Sequence, residues 1–101
     1  MDKAGNIYKT EEYDEWFDQQ QGKSQFQILK RLSLIQEEGY FGDHKDLREG
    51  VWELRWKNGR RVYYAYIPEK DLLLLLGGNK NGQSKDIKKA KKILKEYVDT
   101  K

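Results

Sequence analysis

The sequence predicts an α+β fold in which two helices are followed by a meander of antiparallel strands and a closing helix. Three observations predict it. Aromatic and aliphatic residues recur at helical spacing from Tyr13 to Ile35. The period changes to two at Val51, around an Asn58-Gly59 step, and a run of five leucines then precedes a lysine-rich amphipathic segment. A chain of 101 residues has room for one core of useful size, so residues 1–101 are read as a single domain.

Each element has its own local reason. Asn6 to Lys9 reads as a weak strand, and Thr10 then has the place of an N-cap, with Glu11 and Glu12 complementing the dipole of the first helix. Tyr13, Trp16 and Phe17 line one stripe of that helix, which is expected to run to Gln21 and end at Gly22. Ser24 to Gln27 has the form of a capping box; Ile28, Leu29, Leu32 and Ile35 continue the helical spacing to Gly39. The pair forms a hairpin able to cover one face of a sheet.

From Tyr40 to Gly50 no period holds, and a loop carrying His44, Lys45 and Arg48 is expected. Trp52, Leu54 and Trp56 then alternate with Glu53 and Arg55 as on a half-buried strand. Asn58-Gly59 suits a tight turn in which both residues take positive φ, and Arg60 to Ile67 returns as the partner strand. A turn is expected over Pro68 to Asp71. Leu72 to Leu76 reads as a strand buried on both faces and therefore central. After residues 77–83, Ser84 is the expected cap of a last helix. Ile87, Ala90, Ile93, Leu94 and Tyr97 form its apolar stripe, and lysines fill the opposite side.

Composition narrows the function. With no cysteine and one histidine, neither a disulfide frame nor a thiolate metal site is available, and no metal or organic cofactor is expected. No leader-like segment opens the chain and no apolar run approaches the roughly 20 residues of a bilayer span, so a cytoplasmic protein with no membrane partner is expected. Residues 1–50 hold 7 Lys and Arg against 11 Asp and Glu, whereas residues 51–101 hold 13 against 6. The basic half suits a polyanion, and a solvated lysine face accounts for part of it equally well.

Alternation separates the hairpin residues into two sets. If Trp52, Leu54 and Trp56 pack under the helices, Glu53 and Arg55 share the opposite, open sheet face with Arg61 and Tyr63; a one-residue change of register would exchange Arg61 for Arg60. Such a face suits RNA cleavage by attack of the 2′-hydroxyl. Glu53 is the candidate base, and Arg55, Arg61 and Lys80 are candidates to hold phosphate oxygens. Tyr63 is a candidate for base stacking, with Arg60, Lys57 and Lys85 completing the RNA-binding set. No acid is evident for the leaving oxygen, His44 and Tyr97 being the nearest substitutes.

The stretch "GDHKDLREGVWELRWKNGRRVYYAYI" followed by "LLLLLGGNKNGQSKDIKKA" resembles the RelE/ParE superfamily of toxins, and within it the phage-derived, HigB-like addiction module killer proteins. The combination of ELR, G-x-R-V-Y-Y and G-G-x-K-x-x-Q-x-x-D-I carries the resemblance. It implies a β-α-α-β-β-β core with a C-terminal helix. It also implies a type II toxin acting as a ribosome-dependent mRNA endoribonuclease, with ribosome, mRNA and a helix-turn-helix, HigA-like antitoxin as partners. Carried over by position, Glu53, Arg55, Arg61 and Lys80 fall where relatives hold catalytic and phosphate-contacting groups. Several relatives end their active site with a Tyr or His-Tyr group near the C-terminus, and Ile87 stands where the resemblance places that aromatic. The alternatives within the same fold are a ParE-like inhibitor of DNA gyrase and a non-toxic interaction module.

Overall fold

The computed structural model of the protein describes residues 5–68 and 71–100. In chain order the elements are β1 (Ile7–Lys9), α1 (Glu11–Asp18), α2 (Gly22–Glu38), β2 (His44–Asp46), β3 (Trp52–Arg55), β4 (Arg60–Ile67), β5 (Asp71–Asn79), a short 3₁₀ turn (Lys80–Gly82) and α3 (Gln83–Asp99). The strands form one five-stranded sheet in the order β1-β5-β4-β3-β2, with β1 parallel to β5 and the other pairs antiparallel. The leucine strand lies inside the sheet, as its unbroken apolar character requires. Glu69 and Lys70, within the turn expected between β4 and β5, lie outside the described residues.

Both sheet faces are covered. Tyr13 from α1 and Ile28, Leu32 and Ile35 from α2 pack on Leu54, Val62, Tyr64, Leu72 and Leu74. On the other side Ala90 and Ile93 of α3 pack on Val51, Tyr63, Ala65, Leu73, Leu75 and Leu76. No described helix is long and apolar enough to cross a membrane.

Several local expectations hold and several are corrected. Thr10 Oγ1 caps α1 by accepting from the Tyr13 amide at 3.1 Å, and its own hydroxyl donates to the Leu75 carbonyl at 2.9 Å, so one side chain fixes the helix start to the central strand. Helix α1 ends earlier than expected, at Asp18, and Gly22 begins α2 rather than closing α1. Ser24 is inside α2 and caps nothing; Gln21 holds the cap position without a side-chain bond. His44 to Asp46, expected in a loop, form an edge strand on β3. Three polar residues, two of them charged, are poor strand formers by propensity, but a short polar edge is what an unprotected sheet border tolerates.

The β3–β4 turn also differs. Only Gly59, at φ 99°, takes positive φ; its N–H donates to Trp56 O at 3.1 Å, while Trp56 N donates to Arg60 O at 3.0 Å. This is a turn followed by a one-glycine bulge, not the two-residue turn expected. A second irregularity lies in β5, where Tyr63 pairs with Leu76 and Tyr64 with Leu74, leaving Leu75 as the extra residue. Leu75 and Leu76 consequently share the α3 face, and the parity of everything after them is reversed. Gly77 then meets Trp16 of α1, and Gly78 meets Asp86 of α3. Helix α3 starts at Gln83 after Gly82, so Ser84 is its second residue and not its cap.

Candidate active site at the covered end of the sheet

The register fixes which side chains meet. Arg55 pairs with Arg61 and Glu53 with Tyr63, and on the next strand Gly78 pairs with Arg61 and Leu76 with Tyr63. Glu53, Arg55, Arg61 and Tyr63 therefore share one face, as alternation requires. The face is not open. The first turn of α3 lies over it and leaves Glu53 and Tyr63 at 0% exposure.

Glu53 is held from three sides. Arg55 Nε donates to Oε1 at 2.9 Å, Gln83 Nε2 donates to Oε2 at 2.6 Å, and Arg61 Nε stands 3.8 Å from Oε2. A buried carboxylate is tolerated only with such partners. The two guanidiniums differ in freedom: the Arg55 side chain is 30% exposed and that of Arg61 13%. Arg61 Nη1 donates to the carbonyls of Trp56 and Arg60 at 3.3 and 3.0 Å, while its buried Nε makes no hydrogen bond. That donor is turned toward the carboxylate and closed to solvent, so an anion reaches it only when Glu53 or the arginine moves.

Tyr63 cannot stack a base here, because its ring is buried beneath α3; this corrects the role expected for it. Burial first, then the neighbouring charges of Glu53 and Asp86, push its hydroxyl well above the ordinary tyrosine value, with Arg61 acting in the opposite sense. Arg60 is also corrected. It lies on the α1/α2 face at 8% exposure, donating to Gln27 Oε1 at 3.1 Å and Ser24 Oγ at 2.9 Å. Its guanidinium sits 5.6 Å from the centre of the Trp56 ring, and Arg31 sits 4.6 Å from the same ring. Burial lowers the pKa of Arg60. It ties the hairpin to α2 and faces away from Glu53.

The exposed cations lie around the rim. Lys80 is exposed, its amide donating to Gly59 O at 2.8 Å and its methylenes lying against Gly59, so it stands beside the hairpin turn that also carries the exposed Lys57. Lys85 is exposed in the first turn of α3. Two residues absent from the sequence-derived set belong to the site: Gln83, which holds Glu53, and Asp86, which reaches Gly78. Both were within the Q-x-x-D spacing of the motif, which puts two side chains three apart on one helix face. Among the described residues no group of three or more His, Cys, Asp and Glu side chains is arranged to hold a metal ion.

A central leucine strand, a helical hairpin on one face and a helix closing a Glu-Arg cluster on the other define a RelE-like fold. A double-arginine mutant of the E. coli toxin RelE in the free state superposes with a TM-score of 0.68 at 16% identity, covering 88% of this chain and 96% of that one. The isolated E. coli RelE toxin gives 0.64 at 18% identity, covering 84% and 97%. The toxin–antitoxin complex RelBE2 from Mycobacterium tuberculosis contributes a chain with a TM-score of 0.61 at 14% identity, covering 76% and 92%. In sequence, an uncharacterized protein of Haemophilus influenzae is 34% identical over 94 residues, 89% of this chain and 93% of its own length. Residues 15–98 match the family of phage-derived Gp49-like proteins (DUF891), and the chain belongs to that family.

Proposed function

We propose that the protein is the toxin of a type II toxin–antitoxin pair and that it cuts mRNA on the ribosome. The observation that carries this reading is the cluster of Glu53, Arg55 and Arg61 beneath the start of α3, with the spare Nε of Arg61 within it and Lys80 at its rim. Together they supply what 2′-hydroxyl attack requires without a metal: an acceptor for the 2′ proton and fork-shaped donors for the charge that gathers on phosphate. A bound phosphate competes with Glu53 for Arg55 and Arg61. Glu53 is wholly buried in the free protein, so the arginines and Gln83 must turn from it for RNA to reach the carboxylate, which then has fewer donors and is a better base. The RelE-like fold and the antitoxin complex of a neighbour in that fold support a cognate antitoxin as partner, and the family resemblance supports a helix-turn-helix, HigA-like one. The exposed lysines of α3 suit ribosomal RNA.

Controlled expression with labelled precursors, and primer extension on an abundant message, tests the reading. Protein synthesis is expected to stop, with codon-phased 5′ ends that disappear when initiation is blocked. Intact message with arrested DNA synthesis would instead favour a gyrase inhibitor, and unaltered growth a non-toxic interaction module.

A further inference from the structure

The cluster has a base and cations, but its one hydroxyl, that of Tyr63, is buried with its pKa pushed well above the ordinary value and is a poor donor to the leaving 5′-oxygen. The two substitutes suggested by sequence are elsewhere. His44 pairs with Leu54, which faces the α1/α2 side, so it stands across the sheet from Glu53. Tyr97 packs with the apolar residues beneath α3.

Asp86 is on the correct side. It lies three residues after Gln83 on α3, so both side chains descend from the same turn onto the same sheet face. Its seat is Gly78: a Cβ added there would lie 2.1 Å from Asp86 Oδ2, so the carboxyl fills the space that any side chain at 78 would need. Gly78 pairs with Arg61, and Arg61 with Arg55. Reading across the strands, Asp86 stands over β5, Arg61 lies on β4, and Arg55 and Glu53 lie on β3. Both carboxyl groups act electrostatically on the Tyr63 hydroxyl. A phosphate resting on the arginines would thus have one carboxyl toward each side, which in-line displacement requires of its base and acid.

A first-turn aspartate can serve simply to complement the helix dipole, worth about 0.3–1 kcal/mol. That role needs no bond and is open to Asp86 as well; among the described residues its carboxyl accepts no hydrogen bond, and it is half-buried against Gly78 and Gly82. Burial raises its pKa, Lys89 and Lys85 of its own helix opposing, while Glu53, Tyr63 and Arg61 are the titratable and charged groups of the sheet beneath it.

We propose that Asp86 is the general acid of the cleavage reaction, an assignment that rests on the RNA-cutting reading above. The 2′-oxygen forms its bond to phosphorus as its proton passes to Glu53; the P–O5′ bond breaks as Asp86 gives its proton to O5′. The products are a 2′,3′-cyclic phosphate and a 5′-hydroxyl, and water restores the two carboxyl groups. The rate on an ordinary message falls as rising pH deprotonates Asp86.

The test compares wild type, Asp86→Asn and Asp86→Glu on ribosomes programmed with two messages, one ordinary and one with sulfur in place of the scissile 5′-oxygen. A thiolate leaves without protonation. Asp86→Asn is expected to cut the ordinary message about 10²–10⁴-fold more slowly and the sulfur-linked message at nearly the wild-type rate. Asp86→Glu is expected to recover part of the loss and to keep the fall of rate with pH that Asp86→Asn loses. Gly78→Ala, which displaces the carboxyl, is a second variant and should give the same selective loss. Equal slowing on both messages, or no slowing on either, would overturn the assignment while leaving the nuclease reading intact. A wild-type protein that cuts neither message would overturn that reading, and the acid with it.

Discussion

The two faces of the sheet use arginine in opposite ways. On the α1/α2 face Arg60 and Arg31 lie against Trp56 and donate to neutral acceptors: Ser24 and Gln27 for Arg60, the carbonyls of Phe41 and Asp43 for Arg31 at 2.7 and 2.8 Å. On the α3 face Arg55 and Arg61 gather about a buried carboxylate and retain an unused donor. Arg60 and Arg61 are neighbours in sequence and alike in composition, and the G-x-R-V-Y-Y spacing selects Arg61. The face shows why: one arginine fastens the hairpin to a helix, and the next stands beside the buried carboxylate with a donor unused.

Exchanging the roles of these neighbours is the sharpest way to break the comparison. Arg61→Ala, or Glu53→Gln, should lower message cleavage by about 10²-fold or more and abolish growth arrest, while the protein still folds and binds its antitoxin; full toxicity of both variants would sink the site assignment. On the opposite face Leu74→Ala should cost about 2–5 kcal/mol of stability, read by chemical denaturation, because Leu74 is wholly buried among Tyr13, Ile28 and Leu32. Arg60→Ala should cost about 1–3 kcal/mol and leave the cleavage rate per folded molecule near wild type. A rate loss as large as that of Arg61→Ala would erase the distinction between the faces.

A smaller effect tests burial on both faces at once. Burial holds the hydroxyls of Tyr13, Tyr63 and Tyr64 well above their ordinary value near 10. These folded-state values exceed the unfolded ones, so their contribution is complete below about pH 10 and is lost as pH rises above it, when only the unfolded chain releases its protons. Denaturation midpoints should be level on approaching pH 10 and fall beyond it, and Tyr63→Phe should make the fall shallower. Least of all, Lys80→Ala and Lys85→Ala should each weaken ribosome binding a few-fold and reduce its dependence on salt by roughly one phosphate contact. An unchanged salt slope would make these lysines ordinary solvated side chains.

Most of the element order was legible in the sequence because it follows from local rules. Thr10 before two glutamates, the helical stripe to Ile35, the alternation from Val51, the buried leucine run and the stripe from Ile87 to Tyr97 each describe what a segment must do with its own apolar residues, and the structure places them accordingly except for Leu29, which is exposed. Parity put Glu53 with Arg55 and Arg61 with Tyr63, and the β3–β4 register decided that the two pairs share a face, with Arg61 and not Arg60. The rest depended on contacts between distant residues. The strand at His44 to Asp46 exists because β3 offers it a ladder, and the extra residue at Leu75 reverses the parity of Gly78 through its pairing with β4. Where α3 lands decides that Tyr63 is buried, that Gln83 holds Glu53 and that Asp86 rests on Gly78. Periodicity is a property of one segment at a time. Register and the landing of a helix are set by the packing of the whole chain, and at this site they determine which charges meet.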